Sequence, residues 1–152
     1  MSNFYMLVGL PASGKTTLAY TMGATVRSSD ELRSSLLGDI DDQSHNKEIF
    51  DLLHSLIKAD IFNGVDVVYD ATNIYSYYRR EFLKSLSLLP CKKVCIYLDT
   101  PYNECLSRNA KRERKVPIEV MDKMRNRFTI PDMSEGWGEI RVIKGGMSCG
   151  GD

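Results

Sequence analysis

Apolar residues fall into two kinds of pattern, which alternate along the chain. Short runs that are apolar at nearly every position predict buried parallel strands. Longer segments with apolar residues every three or four positions predict helices packed on one side. The predicted strands are residues 4–8, 24–29, 65–70, 92–99 and 139–143. The predicted helices are 15–22, a segment from 31, 47–62, a stripe within 78–89, 101–108 and a segment from 117.

Two segments follow neither pattern. Residues 109–115 are charged without an apolar period, which predicts a mobile loop, and the glycine-rich residues 145–152 predict a flexible tail. Residues 1–144, which include the predicted loop, are long enough to form one domain with its own core. Because strands and helices alternate, we expect an α/β fold with a mostly parallel sheet of about five strands and helices on both faces.

A phosphate-binding motif lies between the first predicted strand and helix. The pattern G-x-x-x-x-G-K-[ST] is met by Gly9, Gly14, Lys15 and Thr16. Backbone N–H groups at a helix N-terminus bind phosphate, the lysine reaches the β and γ phosphates, and the threonine hydroxyl can ligate Mg²⁺. The motif predicts a P-loop NTPase sandwich that binds ATP through Gly9, Ala12, Ser13, Gly14, Lys15, Thr16 and Thr17. The alternative is a glycine turn that matches the motif by chance.

Carboxylates follow the ends of other predicted strands. Ligands of parallel α/β sheets bind beyond the carboxyl ends of the strands, so Asp30, Asp70 and Asp99 are expected at the same edge as the glycine loop. Asp70 is predicted to hold Mg²⁺, and Asp30 is better placed for an acceptor hydroxyl. Either could instead be a helix cap or turn residue, and Asp99 is predicted to be a cap.

Charge is balanced overall but not along the chain. Twenty basic and twenty acidic residues give a formal net charge of zero, so no global field favours nucleic acid or an acidic membrane. Residues 30–70 carry ten acids against three bases, whereas residues 108–127 carry eight bases against three acids. The basic segment could meet phosphates, although solvated helix faces explain part of the asymmetry.

The sequence favours a reducing, cytoplasmic location. The cysteines lack CxxC or zinc-ligand spacing, and neither a signal peptide nor a membrane span is predicted. They are Cys91, Cys95, Cys105 and Cys149. His45 and His54 also lack ligand spacing, and His54 is predicted to lie on a solvated flank beside the apolar stripe of 47–62.

Aromatic and basic residues interleave just after residue 73. Tyr75, Tyr77, Tyr78, Arg79 and Arg80 could stack a base and hold its phosphate. The favoured interpretation is structural, with Tyr78 in the core stripe of its helix and Tyr75 and Tyr77 covering the helix start.

Four segments together resemble the phage-type polynucleotide 5′-kinase domain and the small P-loop kinases around it. They are GLPASGKTT, SSDELR, VVYDATN and SRNAKRERKVP. The resemblance implies that Asp30 takes the proton from a 5′-hydroxyl and that Arg33 binds a phosphate of the acceptor strand. It further implies that Arg112 closes over the nucleotide phosphates as part of a mobile basic lid and that Arg108 supports the nucleotide. Acceptor contacts are also assigned to Thr72 and Asn73 of the DATN segment.

The expected function is therefore an Mg²⁺-dependent kinase that uses ATP, or another NTP, to phosphorylate the 5′-hydroxyl of DNA or RNA. One alternative is a kinase of a nucleoside, sugar or antibiotic on the same scaffold. The other is a nucleotide-binding module without turnover. Homo-oligomers are compatible with the sequence.

Overall fold

The computed structural model describes residues 1–144, so the predicted tail at 145–152 lies outside the described residues. One sheet contains five strands in the order β2-β3-β1-β4-β5, and every neighbouring pair is parallel. The strands are β1 Ser2–Val8, β2 Thr25–Ser28, β3 Val67–Asp70, β4 Cys91–Asp99 and β5 Glu139–Lys144. The predicted fold class is confirmed.

Helices cover both faces of the sheet. They are α1 Lys15–Ala19, α2 Ser29–Leu37, α3 Asn46–Phe62, α4 Ser76–Ser85, α5 Tyr102–Lys111 and α6 Ile118–Arg127, and a 3-10 turn follows at Met133–Glu135. Side chains alternate along β1, so that Phe4 packs in one apolar cluster with residues of α3 and α4, while Leu7 packs in another with Ala19 of α1. The two clusters lie on opposite faces of the sheet, and because neighbouring strands are parallel, their carboxyl ends meet at one edge.

The segment 109–115, predicted as a loop, is partly helical. Helix α5 continues to Lys111, and Asn109 in its last turn is buried. The Asn109 side chain bonds both backbone groups of Val116, donating to the carbonyl at 2.7 Å and accepting from the N–H at 2.9 Å. This bridge ties the returning chain to the helix, an arrangement that an apolar-period analysis does not register.

The predicted core position of Tyr78 is wrong. Its side chain is 68% exposed, and Arg79 is buried in its place at 1%. The buried stripe of α4 steps back by three from Phe82 to position 79, where a guanidinium is accommodated because Glu135 neutralises it at 2.8 Å.

The predicted helix-cap role of Asp99 is also wrong. Asp99 accepts hydrogen bonds from the Tyr97 hydroxyl at 3.2 Å and from Lys144 Nζ at 3.3 Å, whereas α5 starts after Pro101 without a side-chain cap. Within residues 1–144 the helices are too short or too polar to cross a bilayer.

Candidate active site

The loop between β1 and α1 has the backbone of a phosphate cradle. Gly14 adopts φ +100° and Ala12 φ 64°, so the chain turns through left-handed conformations just before α1. Successive amides in such a turn point into one concavity, which binds anions. A Cβ on Gly9 would lie 2.6 Å from Ser13 Oγ, so the first glycine of the motif is needed for close packing inside the loop.

Two hydrogen bonds hold this loop against neighbouring strand ends. Gly9 N–H donates to the Thr72 carbonyl at 3.0 Å, and the Thr100 hydroxyl donates to the Ser13 carbonyl at 2.9 Å. The loop is therefore anchored to the chain after β3 on one side and after β4 on the other.

Asp70 at the end of β3 meets the threonine of the loop. Thr16 Oγ1 donates to Asp70 Oδ2 at 2.9 Å, although the two residues are 54 positions apart. A hydroxyl and a carboxylate are oxygen ligands suited to Mg²⁺, which proteins hold through one or two carboxylates plus substrate phosphates. Residues 1–144 contain no cluster of three His, Cys, Asp or Glu residues that would form an all-protein metal site. The donor set fits a metal that arrives with the nucleotide.

Asp30 and Arg33 lie together in the first turns of α2. Ser28 caps this helix by accepting from Glu31 N–H at 3.3 Å, which presents Asp30 at the sheet edge. Arg33 is 6% exposed and donates through Nη1 to Asp30 Oδ1 at 3.3 Å. Its Nη2 donates to Asn46 Oδ1 at 2.8 Å. Within the described chain, the buried Arg33 Nε has no hydrogen-bond partner. The guanidinium thus keeps donor capacity next to Asp30.

Basic residues at and after the end of α5 approach the same edge. Arg112 Nη2 donates to Asn109 Oδ1 at 3.2 Å. Arg114 bridges two acids: its Nε donates to Asp41 at 2.7 Å and its Nη1 lies 3.6 Å from Asp30 Oδ2. Residues 112–116 therefore reach across the site toward α2.

Arg108 lies on the glycine loop. Its Nη1 is 3.5 Å from the position that a Cβ on Gly14 would occupy, and its Nη2 forms an ion pair with Glu104 Oε1 at 3.3 Å. A guanidinium at this position is within reach of a nucleotide held by the loop.

These elements enclose a cavity of about 360 Å³, called here the loop cavity. The predicted site residues in its wall are Lys15, Thr16, Asp30, Arg33, Asp70, Thr72 and Arg112. Acids from the acidic stretch and arginines from the basic stretch meet here, which brings the two halves of the charge asymmetry together.

Seven predicted site residues lie outside this wall. Gly9, Ala12, Ser13 and Gly14 belong to the glycine loop itself, and Arg108 lies beside Gly14. The other two are Asn73 and Thr17. Asn73, with φ 50°, uses its amide nitrogen to donate to the Leu7 carbonyl at 2.9 Å and the Ala71 carbonyl at 3.3 Å, so it joins β1 to the chain after β3. Thr17 is exposed in the first turn of α1.

Sequence reasoning missed several wall residues, including Gln43, Asn46 and Phe50, and it did not single out Arg114 within the basic stretch. Tyr75 was considered as a base contact, but a structural role was favoured for it. Arg114 lies in the basic stretch beside Arg112, and no spacing in the sequence distinguishes the two. Asn46 and Phe50 enter the site because α3 packs beside α2, which a linear pattern does not show.

A parallel sheet in this order, a glycine loop between β1 and α1, and a β3 acid bonded to the loop threonine together define a P-loop nucleotide-binding protein. A family described as AAA domain matches residues 4–131, and the chain belongs to this P-loop family. The family is broader than the phage-type kinases that the motifs resemble.

Three known proteins illustrate the relationship. The chain is 30% identical over 141 residues to an L-seryl-tRNA(Sec) kinase of Methanococcus maripaludis, a match that covers 87% of this chain and 54% of the relative. The chain thus spans about half the length of the curated relative it matches. The structure of Chaetomium thermophilum Kti12 with ADP-AlF3 aligns with TM-score 0.71 at 15% identity, over 93% of this chain and 88% of that one. A chain of the Pnkp1/Rnl/Hen1 RNA repair complex aligns with TM-score 0.65 at 20% identity, over 83% and 43%. Both structural matches show the shared fold.

Proposed function

We propose that this protein is an ATP-dependent kinase that transfers the γ-phosphoryl group to the 5′-hydroxyl of DNA or RNA. The observation that carries the proposal is that Lys15 and Thr16 of the phosphate loop share one cavity with Asp30. Phosphoryl transfer needs the donor phosphates and an acceptor-orienting acid in one enclosed space, and the residues proposed for these two roles line the same cavity.

The donor half of the site is the glycine loop with its neighbours. Backbone amides of the loop and Lys15 bind the β and γ phosphates, with Arg108 supporting the nucleotide. Thr16 and Asp70 would hold Mg²⁺, which, when bound, neutralises charge on the phosphate oxygens. Arg112 supplies a further guanidinium to the transferring group, for which its fork geometry is better suited than an ammonium.

The acceptor half is Asp30 with Arg33. The acceptor hydroxyl oxygen forms a bond to the γ phosphorus while the bond from that phosphorus to the β–γ bridging oxygen breaks. The hydroxyl proton passes to the Asp30 carboxylate, and ADP leaves. Arg33 fixes Asp30 at 3.3 Å, and its guanidinium, which lines the loop cavity, is the proposed contact for an acceptor phosphate. Thr72, in the same wall, is a further acceptor contact.

A second candidate acceptor is a serine hydroxyl carried on a tRNA. It is favoured by the 30% identity to a kinase named for L-seryl-tRNA(Sec). A nucleoside, sugar or antibiotic on the same scaffold, and a binding module without turnover, complete the alternatives. All of these alternatives share the donor half of the site. They differ in which acceptor, if any, binds beside Asp30.

The test follows the label from γ-labelled ATP with Mg²⁺ into three kinds of acceptor: 5′-hydroxyl oligonucleotides, seryl-tRNA, and a panel of nucleosides and sugars. We expect label on the oligonucleotide and none on the same oligonucleotide bearing a 5′-phosphate. Label only on seryl-tRNA or on a small molecule would reject the polynucleotide acceptor, and ATP binding without any product would favour the module.

Asp30→Asn isolates the proposed base. We expect kcat to fall about 10²–10⁴-fold, as for loss of a positioned general base, with ATP affinity nearly unchanged. Asp39→Asn is the matched control, because Asp39 is an exposed acid of the next loop that does not line the loop cavity. Equal activity of the two variants would remove Asp30 from the reaction.

A further inference from the structure

A second, larger cavity of about 610 Å³ adjoins the loop cavity. The two share wall residues from α3 and from the chain between β3 and α4, including Asn46, Phe50, Thr72 and Tyr75. A molecule whose reacting hydroxyl lies near Asp30 can therefore extend directly into this second space, called here the aromatic cavity.

Rings dominate the wall of the aromatic cavity. They belong to Phe50, His54, Tyr69, Tyr75, Tyr78 and Phe82. The ring centroids of His54 and Phe82 are 4.5 Å apart with the rings tilted by 44°, and the ring of Tyr75 meets that of Tyr78 edge-on at 6.1 Å. Faces and edges of rings are the surfaces on which planar bases stack.

The charged groups of this wall are already paired. Arg79 donates to Glu135, to the Asn73 carbonyl at 2.9 Å and to the Thr129 carbonyl at 2.7 Å. Lys47 pairs with Asp51 at 2.6 Å, and both are well exposed. Among the wall residues that the structure describes, these are the ionic side chains, so the interior offers no free cation for a phosphate or sulfate.

One polar pair lies inside the aromatic cavity. His54 Nε2 and the Tyr69 hydroxyl are 2.8 Å apart. Burial, reinforced by the charge of Lys58, lowers the pKa of His54 to about 4, so the ring is neutral near pH 7. The prediction of a solvated flank for His54 is thus wrong. Burial also raises the pKa of Tyr69, which leaves an uncharged donor and acceptor in the wall.

We propose that the aromatic cavity binds the 5′-terminal nucleobase of the acceptor while the sugar hydroxyl of the same nucleotide reaches Asp30. An uncharged aromatic heterocycle matches the rings, the paired charges and the neutral hydrogen-bonding pair, whereas an anion meets no unpaired cation among the described wall residues. The assignment rests on the proposed function, since it names the part of that acceptor which is recognised. It also makes base contacts of Tyr75, which was interpreted as covering the helix start, and of Tyr78, which was interpreted as a core residue.

The test compares two neighbouring tyrosines of α4. Tyr78 lines the aromatic cavity and is 68% exposed, while Tyr77 is 65% exposed and lies outside that wall, so Tyr77→Ala is a matched control for Tyr78→Ala. The acceptors are a 5′-hydroxyl oligonucleotide and the same oligonucleotide with an abasic 5′-terminal residue. Stacking on one ring is worth about fivefold or more in affinity.

For the wild type we expect the abasic end to raise the acceptor KM at least about fivefold. Tyr78→Ala should raise KM about fivefold for the natural end and leave KM for the abasic end unchanged, with kcat preserved for both. Tyr77→Ala should change neither. Equal KM values for the natural and abasic ends in the wild type, or equal behaviour of the two variants, would overturn the assignment.

Binding without turnover separates this assignment from the kinase proposal. Adenosine and ribose are titrated into each protein in the absence of ATP and followed by saturation-transfer NMR. Adenosine binding that Tyr78→Ala weakens and Tyr77→Ala does not would support the base site even if no oligonucleotide is phosphorylated, an outcome that rejects the polynucleotide acceptor alone. If ribose binds as tightly as adenosine, the assignment of a base site is wrong, whereas the kinase proposal is unaffected.

Discussion

Replacing Glu135 by glutamine should destabilise this protein far more than breaking an ion pair on its surface. Glu135 and Arg79 are each 1% exposed, with Nε–Oε1 and Nη2–Oε2 distances of 2.9 and 2.8 Å. Glu135 also accepts from Trp137 Nε1 at 3.0 Å and from the Ser76 hydroxyl at 2.9 Å. The carboxylate therefore joins α4 to the 3-10 turn and the chain before β5.

The magnitude follows from leaving a charge buried. Removing one partner of a buried pair costs about 3–5 kcal/mol, because the remaining guanidinium keeps its desolvation penalty without its counter-charge. Glutamine retains one acceptor oxygen for Arg79, so we expect the lower end, about 3 kcal/mol, and a fall in Tm of about 6–12 °C for a chain of this size.

The assay is urea unfolding followed by circular dichroism, with Lys84→Gln as the matched control on the same helix. Lys84 pairs with Glu81 at 3.3 Å, but the two side chains are 76% and 50% exposed, so its loss should cost about 0–1 kcal/mol. An unfolding free energy for Glu135→Gln within about 1 kcal/mol of the wild type would refute the reasoning.

Three further outcomes are expected. Gly9→Ala should weaken binding of an ATP analogue about tenfold or more in calorimetry, because the new Cβ lies 2.6 Å from Ser13 Oγ, and adding Ser13→Ala should restore most of it; wild-type affinity in the single variant contradicts this. Because the pKa of His54 is lowered to about 4 in the folded protein, the ring is protonated at a higher pH in the unfolded chain than in the folded one. The free energy of unfolding therefore falls as the pH drops from about 6.5 towards 4. In urea unfolding, His54→Gln should reduce this pH-dependent loss of stability by about 1 kcal/mol. The same pH dependence of the unfolding free energy in the variant and the wild type would contradict the prediction. Arg112→Ala should lower kcat about 10³-fold while Lys111→Ala does not; matching values would place Arg112 outside the site.

The fold was predictable because the hydrophobic periodicity of the sequence, and the residues that end each helix and strand, agree with the observed elements almost everywhere. Strand β3, apolar and closed by Asp70, has the signature of a central parallel strand, and it is buried at every position. Two failures are places where a polar group is buried by a partner outside its own helix. Arg79 with Glu135, and Asn109 with Val116, depend on contacts that no local pattern contains.

The residues of the candidate site also fall into those that the sequence predicted and those that it could not predict. Lys15, Thr16 and Asp70 follow strand ends in a known motif, so their meeting is a consequence of topology. Phe50 and His54 lie beside the apolar stripe of α3, and the stripe alone does not reveal that this side of the helix faces a cavity. Arg114 depends on how the chain leaves α5, which is set by the Asn109 bridge.

The loop cavity and the aromatic cavity share a wall formed by α3 and the chain after β3, but they differ in their use of the phosphate loop. Within the described residues, none from the phosphate loop at 9–17 lines the aromatic cavity, which is built mainly from α3 and the chain leading into α4. Substitutions in α3, or in and before α4, can therefore change which second substrate binds while the phosphate loop keeps its sequence. Related proteins with this architecture could bind a different second substrate after a few substitutions around the aromatic cavity, while the nucleotide-binding loop stays the same.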